Sequence, residues 1–156
     1  MAENWALFFH LCGAFLLVAG VMVAGVSFES ARRRRRAPEI ALLLGMSRVG
    51  AALVGVGMAL VLPFGLWLVH IEHVGYGAGW VDTAFALFVV VGALGGAGGQ
   101  SPKRARELAV SLGDADESPE LRTLLNDRAA RWLNYSAGLL LVAIIVLMVF
   151  KPGGPA

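Results

Sequence analysis

This sequence has little charge and almost no cysteine. Only 15% of its 156 residues are Asp, Glu, Lys or Arg, against about 25% in an ordinary soluble domain. With 58% hydrophobic residues and a mean hydropathy of +0.72, the apolar surface is too large to hide in one small globule. Much of it must face lipid. The single cysteine, Cys12, excludes an intramolecular disulfide and a cysteine-built zinc cage. Its place in an apolar run suits a packing thiol. The period-2 alternation of membrane barrel strands is absent. So are a glycine-rich phosphate cradle, HExxH and Gly-x-Ser-x-Gly, so no catalytic motif argues for an enzyme.

What the sequence has is four long apolar runs. A helix needs roughly 20 apolar residues to cross about 30 Å of hydrocarbon. The first run, Trp5 to Phe28, has no charge before Glu29. Its leading residues MAENW carry no positive charge and the run is too long for a cleaved signal, so it reads as an anchor. The expected spans are about 5–28, 49–71, 83–99 and 132–150, in a single membrane domain covering 1–156. Helices are required, because an open strand in lipid leaves backbone groups unpaired. The fold class is therefore an all-α, integral membrane four-helix bundle.

Basic residues orient it. Twelve of the thirteen Lys and Arg lie between Arg32 and Arg131. The first connection holds Arg32, Arg33, Arg34, Arg35 and Arg36; the second, HVGYGAGW, holds no Lys or Arg. Short basic loops stay cytoplasmic. Connections one and three are thus expected inside, and both termini outside. The arginine run suits topology and anionic lipid headgroups. No interleaved aromatics are there to stack bases, so no nucleic-acid partner is expected.

The third connection, about 100–131, carries six basic and six acidic residues and reads as a solvated, ion-paired helical hairpin. Ser101 and Pro102 suit a first helix start, and Ser118-Pro119-Glu120 a second. Leu121, Leu124, Leu125, Arg128 and Trp132 then recur at helical spacing, predicting a helix that runs into the fourth span. Gly92, Gly96 and Gly99 form a small-residue stripe on the third span, suited to close helix packing.

Ionisable groups within spans are costly and mark candidate sites. His10, in the first span, shares a helix face with Gly13, Leu17, Gly20 and Ala24 and is expected to face the bundle. His70 and His73 share a face at the outer end of the second span, with Glu72 turned elsewhere, and Asp82 opens the third. Two histidines on different helices suit a b-type haem; His73 or Asp82 would complete a zinc or copper set with His10 and His70. The simpler reading is histidines bonded to water or carbonyls. Arg48 stands roughly 33 Å from His70 along the same helix, so it snorkels to headgroups or pairs with an acid. Pro63 kinks the second span or is absorbed by it.

HLCGAFLLVAG in the first span, PFGLWLVH closing the second, ALFVVVGAL in the third and IIVLMVFKP at the end resemble a bacterial family of predicted four-helix integral membrane proteins of unknown function. That resemblance implies the fold and a multi-pass place in the bacterial inner (plasma) membrane. More distantly, the first-span histidine and the small helical plan look like the copper-resistance D and HemJ-type protoporphyrinogen oxidase groups. The HemJ-type proteins are associated with haem, and their first-span histidine corresponds to His10. No lysine stands in the second or third span to match the other residue that group relies on.

Two functions follow as expectations. One is an accessory or scaffold protein without catalysis, packing through its glycine faces against lipid, further copies or a larger membrane complex. The alternative is a b-haem or metal protein for electron transfer or sensing. A transporter ranks third, since the spans show no inverted repeat and no line of intramembrane charges.

Overall fold

The computed structural model describes residues 1–71 and 79–151. Among them are six helices and no strand: α1 (Ala2–Arg32), α2 (Ala37–Ile71), α3 (Gly79–Gly98), α4 (Gln100–Ser111), α5 (Pro119–Leu125) and α6 (Arg128–Phe150). Four stretches are long and apolar enough to cross a membrane: Glu3–Arg32, Ala37–Ile71, Gly79–Ser111 and Pro119–Phe150. The all-α, four-span architecture read from the sequence is present. One end of the bundle carries Met1 and the end of α6 (the terminal end), and the other carries the arginine run with α4 and α5 (the basic end).

The helices pack as two pairs, α1 with α2 and α3 with α6. Glycines seven apart line the first seam. A Cβ at Gly13 would stand 2.8 Å from Leu60, and one at Gly20 2.7 Å from the Gly50 carbonyl. From α2, Gly50 would meet the Ala24 backbone at 2.6 Å and Gly57 the Gly13 carbonyl at 2.8 Å. Backbone thus lies directly on backbone, which replaces the hydrophobic drive that lipid cannot supply. Seven-residue spacing keeps the seam on one face of each helix. α2 runs through Pro63 without a break.

In the second pair, a Cβ at Gly98 would meet Asn134 Oδ1 at 2.5 Å, and Asn134 Nδ2 donates to the Gly98 carbonyl at 3.3 Å. Leu17 joins the two pairs, packing in one core with Phe88, Val91, Leu141 and Ile144.

At the basic end the third connection is a packed element. Leu121 and Leu125 of α5, with Ala105 and Ala109 of α4, bury against Phe28, Ile40 and Leu44. The α1–α2 turn is braced by the same element. The Arg122 guanidinium donates to the Arg32 carbonyl at 2.7 Å and pairs with Glu117. Backbone bonds run from Glu117 to Arg35 at 2.8 Å and from Ala37 to Ala115 at 3.1 Å. Ion pairs are present as expected, but the hairpin is solvated on one side only, because its leucines cover the ends of α1 and α2.

Two helix boundaries differ from expectation. Gly99, not Ser101, stands at the start of α4, and the Ser101 hydroxyl instead donates to Asp127 Oδ2 at 2.5 Å. The helix through Leu121 does not run on into the fourth span. Asp127 caps α6, its Oδ1 accepting from the Ala129 and Ala130 amides at 2.9 and 3.3 Å, and a side chain that takes those donors ends the preceding helix. Ser118 caps α5, accepting from the Leu121 amide at 3.1 Å, with Pro119 in the first turn, as read from the sequence. Gly113, at φ 59°, supplies the left-handed residue after α4.

Gly20→Leu is expected to destabilise the detergent-solubilised protein by about 1–3 kcal/mol or more, through overpacking. Gly25→Leu, where an added Cβ meets nothing within 4 Å, should change stability little; a thermal unfolding series decides. The Ser101 hydroxyl, then the Ala130 amide, hold the Asp127 carboxyl below its usual range against an opposing desolvation. A depressed carboxylate contributes stability above its unfolded pKa that is lost as pH falls through the folded one. Hydrogen exchange at Ala129 and Ala130 should therefore accelerate, relative to its intrinsic rate, as pH drops through and below the ordinary carboxylate range, and much less so in Asp127→Asn.

Candidate functional site

The two helix pairs touch through Leu17 and its neighbours but part toward the terminal end. A cavity of about 400 Å³ opens there, walled by all four long helices, within the range of small-molecule sites. Its wall is leucine, valine, isoleucine, phenylalanine, methionine, alanine and glycine. Among the described residues that line it, only His10, Trp80 and Lys151 carry side-chain nitrogen or oxygen atoms.

His10 is held by α2. Its Nδ1 lies 3.0 Å from the Val61 carbonyl. A carbonyl only accepts, so Nδ1 donates; in the neutral ring that makes Nε2 an acceptor, and it has no partner among the described residues. The imidazole reaches that carbonyl through a notch at Gly65, where a Cβ would stand 3.0 Å from His10 Cε1 and 3.1 Å from Nδ1. Beside it, Phe9 stacks on Phe64 at 4.9 Å, and the stack extends to Trp5 and Trp67. Such aromatics gather at the membrane boundary. His10 lies five residues along α1 from Trp5, about 7.5 Å deeper, in the apolar layer.

Trp80 opens α3 and is 8% exposed. Its indole N–H is buried with no hydrogen-bond partner among the described residues. A donor left unmade in apolar surroundings costs about 1–3 kcal/mol. The Lys151 ammonium stands 5.5 Å from the Trp80 ring centroid. Lys151 also ends α6 in the left-handed region, at φ 39°, which turns the chain off the helix beside the cavity.

The other residues singled out from sequence are not gathered here. His70 is exposed and absent from the cavity wall; nine residues past Val61, it faces about half a turn away. Asp82 is exposed and also off the wall. His73 and Glu72 lie outside the described residues. No group of three or more His, Cys, Asp or Glu among the described residues is placed to hold a metal ion. His10 Nε2 is thus one donor without a second histidine opposite it. The described residues do not make a two-histidine haem seat, and no haem or metal chemistry is derived from them. Of the glycine stripe, a Cβ at Gly92 would meet Met58 at 3.0 Å, one at Gly96 nothing within 4 Å, and one at Gly99 only the Gly95 and Gly96 carbonyls at the end of α3.

The arginines divide. Arg32 pairs with Glu29 at 2.8 Å and reaches Asn126 at 3.1 Å; Arg34 pairs with Glu39 at 3.5 Å. Arg33, Arg35, Arg36 and Arg48 are exposed. Sequence reasoning did not single out Gly65, Trp80 or Lys151. A lone tryptophan opening a span was a usable signal, since indoles concentrate at that depth. Gly65 offered none, because what fills its notch comes from another helix.

Four apolar helices in two glycine-packed pairs, with arginine-rich connections at one end, define a polytopic α-helical integral membrane protein. The chain belongs to a family of unknown function, described as predicted integral membrane protein (DUF2269), whose model matches residues 5–152. No curated protein and no solved structure matches it.

Gly65→Val is expected to displace the imidazole and remove the Nδ1–H signature of His10 from a ¹⁵N histidine spectrum. The hydrogen bond contributes about 1 kcal/mol, so His10→Leu should lower thermal stability modestly without unfolding the chain.

Proposed function

We propose that this is an accessory protein of the bacterial inner membrane that holds an uncharged, lipid-like molecule in the cavity between its helix pairs. The observation that carries this is an otherwise apolar wall that includes His10 and Trp80, the indole N–H of the second having no partner among the described residues. A hydroxyl or carbonyl head satisfies such groups: an O–H donates to His10 Nε2, and an oxygen accepts from Trp80. A charged head is disfavoured beside them, because the surrounding wall offers a charge little solvation. An acyl or isoprenoid tail fills the remaining volume. Retention without turnover fits a sensing or presenting role.

Mass spectrometry of lipids retained by the detergent-purified protein tests the reading. Wild type should carry one species near stoichiometry. His10→Leu and Trp80→Phe should each retain about tenfold less, the worth of one good hydrogen bond, and Ala84→Phe should exclude it by filling the wall. An identical lipid profile in all four proteins would sink the proposal.

A second reading, assembly with further copies or a larger complex, draws on Gly95 and Gly96, where nothing within the chain lies within 4 Å. With Cys12 replaced, Gly96→Cys should cross-link between copies if this face packs on itself, and stay monomeric otherwise. The same single-cysteine background tests orientation in intact cells. An impermeant maleimide should label Glu3→Cys and not Arg104→Cys if the basic end is cytoplasmic.

A further inference from the structure

A second recess, of about 340 Å³, lies at the other end of the molecule and is lined by Arg128, Arg131, Trp132 and Tyr135. These residues follow one another at i, i+3, i+4 and i+7, on a single face of the first two turns of α6. Neither guanidinium has a hydrogen-bond or ion-pair partner among the described residues. The two nearby acids are already engaged: Glu29 accepts from Tyr135 at 2.9 Å and pairs with Arg32, and Asp127, one residue before Arg128, accepts from the Ser101 hydroxyl and from the Ala129 and Ala130 amides. The two arginines therefore present guanidiniums that no carboxylate of the described residues pairs with.

The same face continues down the helix as a strip of exposed apolar side chains. Trp132 is 72% exposed and Tyr135 55%, and Leu139, Val142, Val146 and Val149 follow, all exposed. The spacing of three and four repeats over that whole length. From one end to the other the face thus reads charge, then aromatic belt, then hydrocarbon. A glycerophospholipid lying against a helix has the same order: phosphate, glycerol and ester level, acyl chain.

We propose that this face of α6 is a binding site for one anionic glycerophospholipid. Its phosphate accepts hydrogen bonds from Arg128 and Arg131, its glycerol region lies against Trp132 and Tyr135, and an acyl chain runs along the strip. Two uncompensated guanidiniums select an anionic head over a zwitterionic one, whose own cation they repel. The recess shares no residue with the cavity at the terminal end, which the strip reaches only at Val149, and the arginine site stands or falls independently of the ligand proposed there.

The test is thermal unfolding of the full-length protein in detergent, titrated with phosphatidylglycerol, phosphatidylcholine or inorganic phosphate. Wild type should be stabilised by phosphatidylglycerol at concentrations where the other two have little effect. At about 1 kcal/mol per basic residue near a lipid surface, Arg128→Gln with Arg131→Gln should weaken the apparent affinity roughly 30-fold. That double variant should unfold at the wild-type temperature without added lipid, which separates lost binding from lost folding. Arg104→Gln, an exposed arginine on α4, should titrate like wild type. Equal stabilisation by phosphatidylcholine would overturn the proposal, as would an unchanged titration in the double variant. An equal response to inorganic phosphate would reassign the recess to a soluble anion.

Discussion

The close approach of α1 and α2 along their glycine seam is the constraint on which the rest of this structure depends. In lipid there is no hydrophobic gain from pressing two apolar helices together, so they associate through van der Waals contact and a few polar bonds. Gly13, Gly20, Gly50 and Gly57 remove every Cβ that would hold the backbones apart. Once that seam is closed, the rotation of each helix about its own axis is determined. It turns His10 toward the Val61 carbonyl and sends His70 to the other side of α2. The rotation that gives His10 its hydrogen bond also parts it from His70, while His73 lies outside the described residues.

The two helix pairs are joined unevenly. At the basic end, α4 and α5 lay their alanines and leucines over the ends of α1 and α2, and Arg122 ties down the turn between those helices. At mid-depth, Leu17 meets Phe88 and Leu141. Toward the terminal end nothing comparable closes the gap. The cavity follows from that distribution of packing, together with Gly65 and Ala84, whose small side chains leave room along its wall. A bundle clamped at one end and open at the other leaves room between its helix pairs, and it is this room that the proposed lipid-like ligand would occupy.

Both sites reuse the same economy of polar groups. Within the apolar layer each polar atom needs a partner, so the few that lack one carry information. Trp80 Nε1, on a residue that lines the cavity, is such an atom among the described residues. At the basic end the bracing arginines, Arg32 and Arg122, are committed to carbonyls and carboxylates, while Arg128 and Arg131 are not. The contrast between engaged and unengaged arginines, rather than their number, is what the proposed lipid site rests on.

The sequence by itself determined the number of spans, their helical character and the concentration of charge at one end. These rest on apolar run length and charge position, which lie along the chain. It also indicated that His10, Gly13, Leu17 and Gly20 share one face, and that Ser118 begins a helix. It did not show the break at Asp127, because that cap depends on Ser101, 26 residues away, holding the carboxylate. Nor did it show which helix faces His10, what occupies the notch at Gly65, or that Trp80 and His10 look into one cavity while His70 does not. Those depend on how the helices are arranged and rotated about one another. Helical periodicity assigns a residue to a face of its own helix, and only the packing of the other helices decides what that face meets.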